Sequence, residues 1–494
     1  MSLSSSLKQI YESSHYDILL GDQKITLSVQ GVVSGKVDLL FHQPVAIITG
    51  YNPSAGCDSP RLQSVEDNEA ANRDVELYLQ RRGVEYYKAV GYAVTSAGHS
   101  DVQTEHQNLH QEPSFAVFRI SKEEAAAIGR RFGQAAVFYF DGSRRSAGHI
   151  VPCGEDVYSL LQQLPLVELH IHAEGAIPAD HLVSMSRSFA DVTGKEPLFE
   201  TEAGVRRYLK FKNFYEFIQK WISMLSLIQS ADQYSEIVFQ VMKSLHHIGV
   251  VHAELHFSPF DTIDLESQSY RLQPAAITEA AIDGLKRAKA DFNMTGCLIA
   301  DLVRNHPVET ARNRIDMISP LIGDDLIGLG LGGSESKFAA SLFTDAFDYA
   351  RKKGFRTVAH AGETAGADSV RSALHDLKAE RIGHGIRCLE DPSLVDELAG
   401  RQTPLEVCIS SNDSLNVIDD ISLHPVRKMI DVGLHVSLHS DDPTMFQTNI
   451  VNEYGWFVSD FGGTADEIRK LLSNACQASF LSKSQKQELQ HKIM

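Results

Sequence analysis

The sequence has no run of 18 consecutive apolar residues, so a membrane-spanning helix is not expected. Residues 1–7 (MSLSSSL) lack both the basic start and the apolar core of an export signal. There is no C-x-x-C pair: the six cysteines stand singly at 57, 153, 297, 388, 408 and 476, which excludes a zinc site built on paired thiolates and a disulfide framework. Cys297 and Cys408 lie in apolar, strand-like runs and read as buried thiols. Positive charge is also scarce. Lys plus Arg number 46 against 64 Asp plus Glu, a net charge of -18, which argues against a surface that grips a nucleic-acid backbone. With 43% hydrophobic and 22% charged residues the chain is ordinarily globular, and a cytoplasmic, soluble protein with neither membrane nor nucleic-acid partner is expected.

The 494 residues exceed one average domain of about 100 to 200 residues. Residues 1–145 read as a small separate α/β domain. A short stretch at 37–41 precedes a strand at 44–49 that runs into a turn at 50–53. A helix over 66–81 stops before Gly83, and strands follow at 90–94, 115–120 and 135–140. Ser121-Lys122-Glu123-Glu124 is a capping box opening an alanine-rich helix that runs to Gly133. Residues 141–149 are polar and read as a linker or a surface crossing, and a second domain is assigned to 155–494. There, apolar stretches at 167–171, 250–257, 295–299, 326–331, 357–361, 381–383, 405–409 and 436–438 alternate with helix-capable segments, the pattern of a (β/α)₈ TIM barrel.

Histidines and carboxylates fall at the carboxyl ends of several of these strands, where that architecture concentrates chemistry. In Glu168-Leu169-His170-Ile171-His172 the period of two places both imidazoles on one side, as a pair of metal ligands or as two hydrogen-bonded strand-end histidines. His360-Ala361-Gly362-Glu363 adds a third histidine, and Ser440-Asp441-Asp442-Pro443 adds two carboxylates. Three imidazoles and one carboxylate suit zinc. Glu363, three residues beyond His360, is placed to take a proton from a metal-bound water and pass it on. His384 ends the following strand and is a second candidate to orient that water. Asp442 cannot share the direction of Asp441 and is left to accept a hydrogen bond from substrate. His252-Ala253-Glu254-Leu255-His256 sits in a strand context, where its polar residues merely share a face, and His246-His247 reads as solvated. The glycine-rich run 328–333 lacks the pattern of a phosphate loop or dinucleotide fold, and its glycines are read as letting backbone approach a ligand.

These motifs, with Asn474-Ala475 and Ser479-Phe480-Leu481, resemble the adenosine and adenine deaminase family of the amidohydrolase superfamily from about residue 165 to 494. The resemblance implies a metal-dependent-hydrolase barrel that removes the amino group at C6 of a purine with zinc. It implies zinc ligands His170, His172, His360 and Asp441. Glu363 is then the proton shuttle to purine N1, His384 assists hydroxide attack, and Asp442 partners N7. Gly333 meets the ring near N3, and Glu174 contacts ribose or closes a base-only pocket. The H-x-E with P-C-x-x-C of cytidine-type deaminases is absent in its second half.

Details divide between branches. Ser334 replaces an aspartate usual in adenosine deaminases, Glu174 stands where they have aspartate, and 387–392 leans toward adenine deaminases. Asp442-Pro443-Thr444-Met445-Phe446 leans the other way, with Met445 and Phe446 forming an apolar wall, and 408–412 lacks a proline usual in both. The expectation is a nucleoside substrate, adenosine converted to inosine and ammonia, with adenine or another 6-aminopurine as the alternative. Residues 49–53, Asn68, Asn72-Arg73, 112–115 and 131–134 resemble the uncharacterised DUF3293 family, which implies no activity and leaves a binding or assembly module as the reading of the first domain.

Overall fold

The computed structural model describes residues 15–20, 23–28, 31–34, 45–48, 65–94, 109–131, 136–140, 149–152, 157–212, 214–262 and 270–494. The chain divides into two compact units, Met1–Gln163 with Gly455–Gly463, and Leu164–Tyr454 with Thr464–Met494.

The second unit is the expected (β/α)₈ barrel. Among the described residues its strands are β1 (Leu166–His172), β2 (Val250–Phe257), β3 (Thr295–Val303), β4 (Leu326–Gly332), β5 (Arg356–Ala361), β6 (Arg381–His384), β7 (Pro404–Val407) and β8 (His435–Leu438), in unbroken neighbour order. The pairings are parallel, and a parallel bridge between Ile171 and Asp441 joins the end of the eighth strand to the first. Strand and helix alternate because each apolar strand is buried and must cross back under an amphipathic helix. Two of the barrel's strand ends differ from the sequence reading by more than one residue. β3 runs on through Asp301 to Val303, and β7 stops at Val407, because Asn412 donates its N–H to the Cys408 carbonyl and starts the helix Ile409–Ser414.

The alternating glycines of β4 receive a different explanation from the one expected. A Cβ on Gly330 would lie 1.8 Å from Asp301 Oδ1 and 3.1 Å from His256 Nδ1, and one on Gly328 would lie 2.9 Å from Ile299 Cγ1. Their missing side chains admit protein groups into the barrel, not a ligand. Gly333 differs: its φ of +89° favours glycine outright.

In the first unit, described strands run in the antiparallel order 31–34, 23–28, 15–20, 86–94, 109–118, 45–48, 136–140, 149–152. The expected capping box forms: Ser121 N donates to Glu124 Oε2 at 2.9 Å and Glu124 N to Ser121 Oγ at 3.1 Å. The helix Val65–Arg81 places Tyr78 4.7 Å from Trp456, ring to ring, within the same unit. The expected stretch at 37–41, the turn at 50–53, most of the linker at 141–149, and Asn52 and Gln134 lie outside the described residues. No helix among the described residues is long and apolar enough to cross a membrane.

Candidate active site

The barrel's closure builds the centre of the site. The N–H of Asp441 donates to the His170 carbonyl, and the N–H of His172 donates to the Asp441 carbonyl, both at 2.9 Å. The residue after β8 is thereby stitched between the two histidines of β1, in a left-handed conformation with φ of 61°. Its carboxylate Oδ1 lies 3.5 Å from His170 Nε2 and 3.4 Å from His172 Nε2. Glu168, on the same face of β1, secures this junction by accepting from Ser440 N at 3.0 Å and Ser440 Oγ at 2.9 Å. His360, from β5, brings its Nε2 to 3.2 Å from that of His172.

The far nitrogen of each of these three rings meets an acceptor. His170 Nδ1 lies 2.9 Å from Glu406 Oε2, His172 Nδ1 3.3 Å from Asp301 Oδ2, and His360 Nδ1 3.1 Å from the Leu331 carbonyl. An acceptor at Nδ1 holds the proton there and turns the Nε2 lone pair inward. Three lone pairs then converge beside one carboxylate, and His170 Nε2 is buried without a hydrogen-bond partner among the described residues. Lone pairs 3.2 Å apart repel unless a cation lies between them. Burial opposes charge on His170 and His172, but Asp441 and Glu406 around the first, and Asp301 and Asp441 around the second, work against it, and the rings are lifted to about 10 and about 9. This electrostatic field favours positive charge, and the donor set fits a metal ion. A group of His170, His360, His384 and Asp441, with donor atoms within 4.8 Å of one another, has the spacing to hold one.

Glu363 follows β5 with its Oε1 3.8 Å from His384 Nε2. Burial, Asp441 and Glu335 push its carboxyl up to about 8, so it carries a proton near neutral pH. Its loop is anchored by Glu335, whose Oε2 accepts from the backbone N–H groups of Glu363, Thr364 and Ala365 at 3.1, 2.8 and 3.0 Å. His384, with φ of 60°, points Nε2 to within 3.9 Å of Asp441 Oδ2. Burial holds Asp442 well above the carboxylate range, reinforced by the charge of ionised Asp441. A carboxyl held in its protonated form offers a hydrogen bond to a ligand acceptor, whereas the acceptor role expected from the sequence requires the ionised form.

Glu174 is buried, its Oε1 accepting from Ser258 N at 2.8 Å and Tyr234 Oη at 3.2 Å, while its Oε2 has no hydrogen-bond partner among the described residues. Burial lifts its carboxyl to about 7. Phe446 stacks on Phe217 at 5.5 Å, and Trp221 approaches His172 edge-on at 6.3 Å. The aromatic helix Phe214–Leu225 was not singled out in the sequence, and neither were Asp301, Glu335 and Glu406. Asp301 and Glu406 are each a lone acid within an apolar run, a signal that the barrel's inward face explains, whereas Glu335 lies in the polar loop after β4. The decoy motif on β2 divides: His252 contacts Glu254 at 3.1 Å, whereas His256 lies 2.9 Å from Asp301, next to His172. Cys297, Cys388, Cys408 and Cys476 are free and buried.

Residues 165–494 match the family model described as Adenosine deaminase, and residues 48–137 match a protein of unknown function (DUF3293). The adenosine deaminase of Yersinia pseudotuberculosis is 30% identical over 331 residues, which make up 67% of this chain and 98% of the relative. The aminodeoxyfutalosine deaminase of Streptomyces coelicolor is 32% identical over 358 residues, 72% of this chain and 88% of the relative. Among solved structures, the adenine deaminase of Arthrobacter aurescens superimposes with a TM-score of 0.61 at 28% identity, covering 67% of this chain and 98% of its own. The family match takes in every strand from β1 to β8 and every site residue described above, and by it this chain belongs to the adenosine deaminase family.

Proposed function

We propose that the barrel catalyses zinc-dependent hydrolytic deamination at C6 of a 6-aminopurine nucleoside, adenosine plus water giving inosine plus ammonia. The observation that carries this reading is the convergence of three Nε2 lone pairs and Asp441 beside a proton-bearing Glu363. His170, His172, His360 and Asp441 would hold the zinc. When bound, zinc lowers the pKa of water toward about 7 and so makes hydroxide available at neutral pH.

The remaining steps belong to the chain's own groups. A neutral purine is a poor electrophile, so N1 must gain a proton as C6 is attacked, and Glu363 holds that proton. The C6–O bond forms, the ring nitrogen takes up the electron pair, and the C6–N bond then breaks as ammonia leaves with a further proton. Asp442 donates to N7, and the backbone at Gly333 meets the N3 edge. The unpartnered Glu174 Oε2 serves a polar group on the N9 side, a ribose hydroxyl in a nucleoside. The Trp221 ring beside His172, backed by Phe217 and through it by Phe446, supports the apolar face of the ligand. Four buried free thiols among the described residues accord with a reducing, cytoplasmic setting.

Ammonia release from adenine, adenosine, 2'-deoxyadenosine, AMP and N6-substituted purines tests the reading. Adenosine should exceed adenine in kcat/KM by at least about tenfold, since ribose binding worth only about 1.4 kcal/mol in the transition state gives that ratio. Faster turnover of adenine would replace the nucleoside reading with adenine deamination, for which the 28% identity to the Arthrobacter adenine deaminase leaves room. Metal analysis should find about one zinc per chain, lowered in His170→Ala and Asp441→Ala, as four protein ligands to one ion require.

A further inference from the structure

The helix Ile409–Ser414 and the segment after it place two polar side chains behind His384. The backbone N–H of Val426 can only donate, and it donates to His424 Nδ1 at 3.1 Å. His424 is buried, and burial pushes its imidazole down to about 3, so the ring is neutral and its single proton sits on Nε2. That Nε2–H donates to Asn412 Oδ1 at 3.1 Å. The other end of the amide is then its NH₂, which lies 3.3 Å from His384 Nδ1. An amide nitrogen offers no lone pair, so His384 Nδ1 must accept, and a neutral His384 carries its proton on Nε2. Asn412 and His384 are themselves 0% and 1% exposed, so water does not compete for these bonds.

This polarity is opposite to that of the other three histidines. His170, His172 and His360 each meet an acceptor at Nδ1 and turn a lone pair inward. We infer that Val426, His424 and Asn412 form a one-way hydrogen-bond relay that holds His384 in its Nε2–H tautomer, so that His384 donates a hydrogen bond into the site and does not ligate metal, with Asn412 and His424 as positioning residues. His384 is accordingly set apart from the donor group with which it shares its spacing. The catalytic consequence, a hydrogen bond donated to the oxygen that attacks C6, rests on the deaminase reading; the tautomer does not.

The test has one arm for each. Long-range ¹⁵N correlation spectra of the full chain, ¹⁵N-labelled at histidine and assigned by loss of signal in His384→Gln, should show His384 with an unprotonated Nδ1 and a protonated Nε2. A protonated Nδ1 in the wild type overturns the relay, whether or not any purine is deaminated. Asn412→Asp keeps the shape but can only accept, so it should move a proton onto Nδ1. On the alkaline side of neutrality it should lower kcat by about 10²-fold, the size of losing one preorganised donor, with KM and zinc content retained. His424→Gln, whose amide can still donate to Asn412, should keep the tautomer and the turnover, while His424→Leu should lose both. Equal behaviour of the Gln and Leu variants, or an Asn412→Asp enzyme with normal kcat, overturns the relay. Absence of deamination from the whole substrate panel, with the expected tautomer present, would instead overturn only the functional reading.

Discussion

Replacing Arg381 by Met tests whether the charged network beneath the site is structural. Arg381 Nη1 pairs with Glu254, its Nε lies 2.6 Å from Glu406 Oε1, and its guanidinium stacks 4.0 Å from the centre of the Phe480 ring. All three charged side chains are at most 1% exposed. Burial works to raise Glu254, yet Arg381, His252 and the Phe480 N–H together outweigh it and hold the carboxyl at about 2; Glu406 is depressed in the same way, by Arg381 with His170. A drop from 4.5 to about 2 corresponds to roughly 3 kcal/mol. Breaking a buried pair by removing one partner costs about 3–5 kcal/mol on independent grounds, because it strands the other charge. Two stranded carboxylates place Arg381→Met in that range near neutral pH. The sign with pH follows from the depressed carboxyl. Its stabilisation is fully present above the unfolded-state pKa near 4.5 and is lost as pH falls toward about 2, so the variant's deficit should shrink over that window. Denaturant unfolding of the full chain at a series of pH values measures it. Glu406 also holds His170 Nδ1, so weaker zinc retention should accompany the loss. The triple variant Glu254→Gln/Arg381→Met/Glu406→Gln should recover part of the stability. A deficit below about 1 kcal/mol that does not vary with pH would refute the reasoning, because a buried ion pair cannot lose one partner so cheaply.

Glu363→Gln keeps the shape but cannot deliver a proton; turnover should fall by at least about 10²-fold with zinc still bound, as steady-state rates and metal analysis would show. Glu335→Gln removes a charge that helps raise Glu363, so the alkaline limb of the pH–rate profile should move to lower pH, where the Glu363 proton is now lost; an unmoved limb would disconnect the two groups. Glu335→Ala should cost about 1–3 kcal/mol or more in unfolding free energy, since several backbone N–H groups lose their acceptor. A chain beginning near residue 155 should keep the barrel and its zinc; it should also show a red-shifted tryptophan emission, because Trp456 groups with the amino-terminal unit and loses Tyr78. Insoluble or metal-free truncated protein would show that the first unit is needed for the barrel to fold.

The barrel was legible because each of its strands is a short apolar block, and a parallel sheet buried on both faces leaves no other pattern. The errors arose where burial and polarity conflict. The apolar block of β3 continues as Ala300 and Leu302 on either side of Asp301, and that single acid made the strand seem to stop. In the amino-terminal unit the strands His15–Leu20 and Gln23–Ser28 pair with each other, and Gly21-Asp22 between them was a hairpin signal passed over because both strands are rich in polar residues. Nothing local marks Gly455–Gly463 as grouping with a unit some three hundred residues earlier, since that is a property of packing at long range.

In the site, legibility follows the reach of sequence periodicity. His170 and His172 share a face by strand geometry alone, and Glu363 lies three residues from His360, so the sequence alone singles them out as candidates. Asp441 was visible as an acid at a strand end, but its place between the two histidines comes from the bridge that closes the barrel, which joins residues 270 apart. The groups that decide protonation lie a layer further out: Asp301 for His172, Glu406 for His170, Glu335 for the Glu363 loop, Asn412 and His424 for His384. Each comes from a different strand or loop than the residue it serves, so no spacing within the chain couples them. A histidine's type can therefore be read from the sequence, while the nitrogen that carries its proton is set by partners that only the closed barrel brings to it. That division explains why four histidines at similar strand ends, indistinguishable by residue type, separate into three that present lone pairs and one that presents a proton.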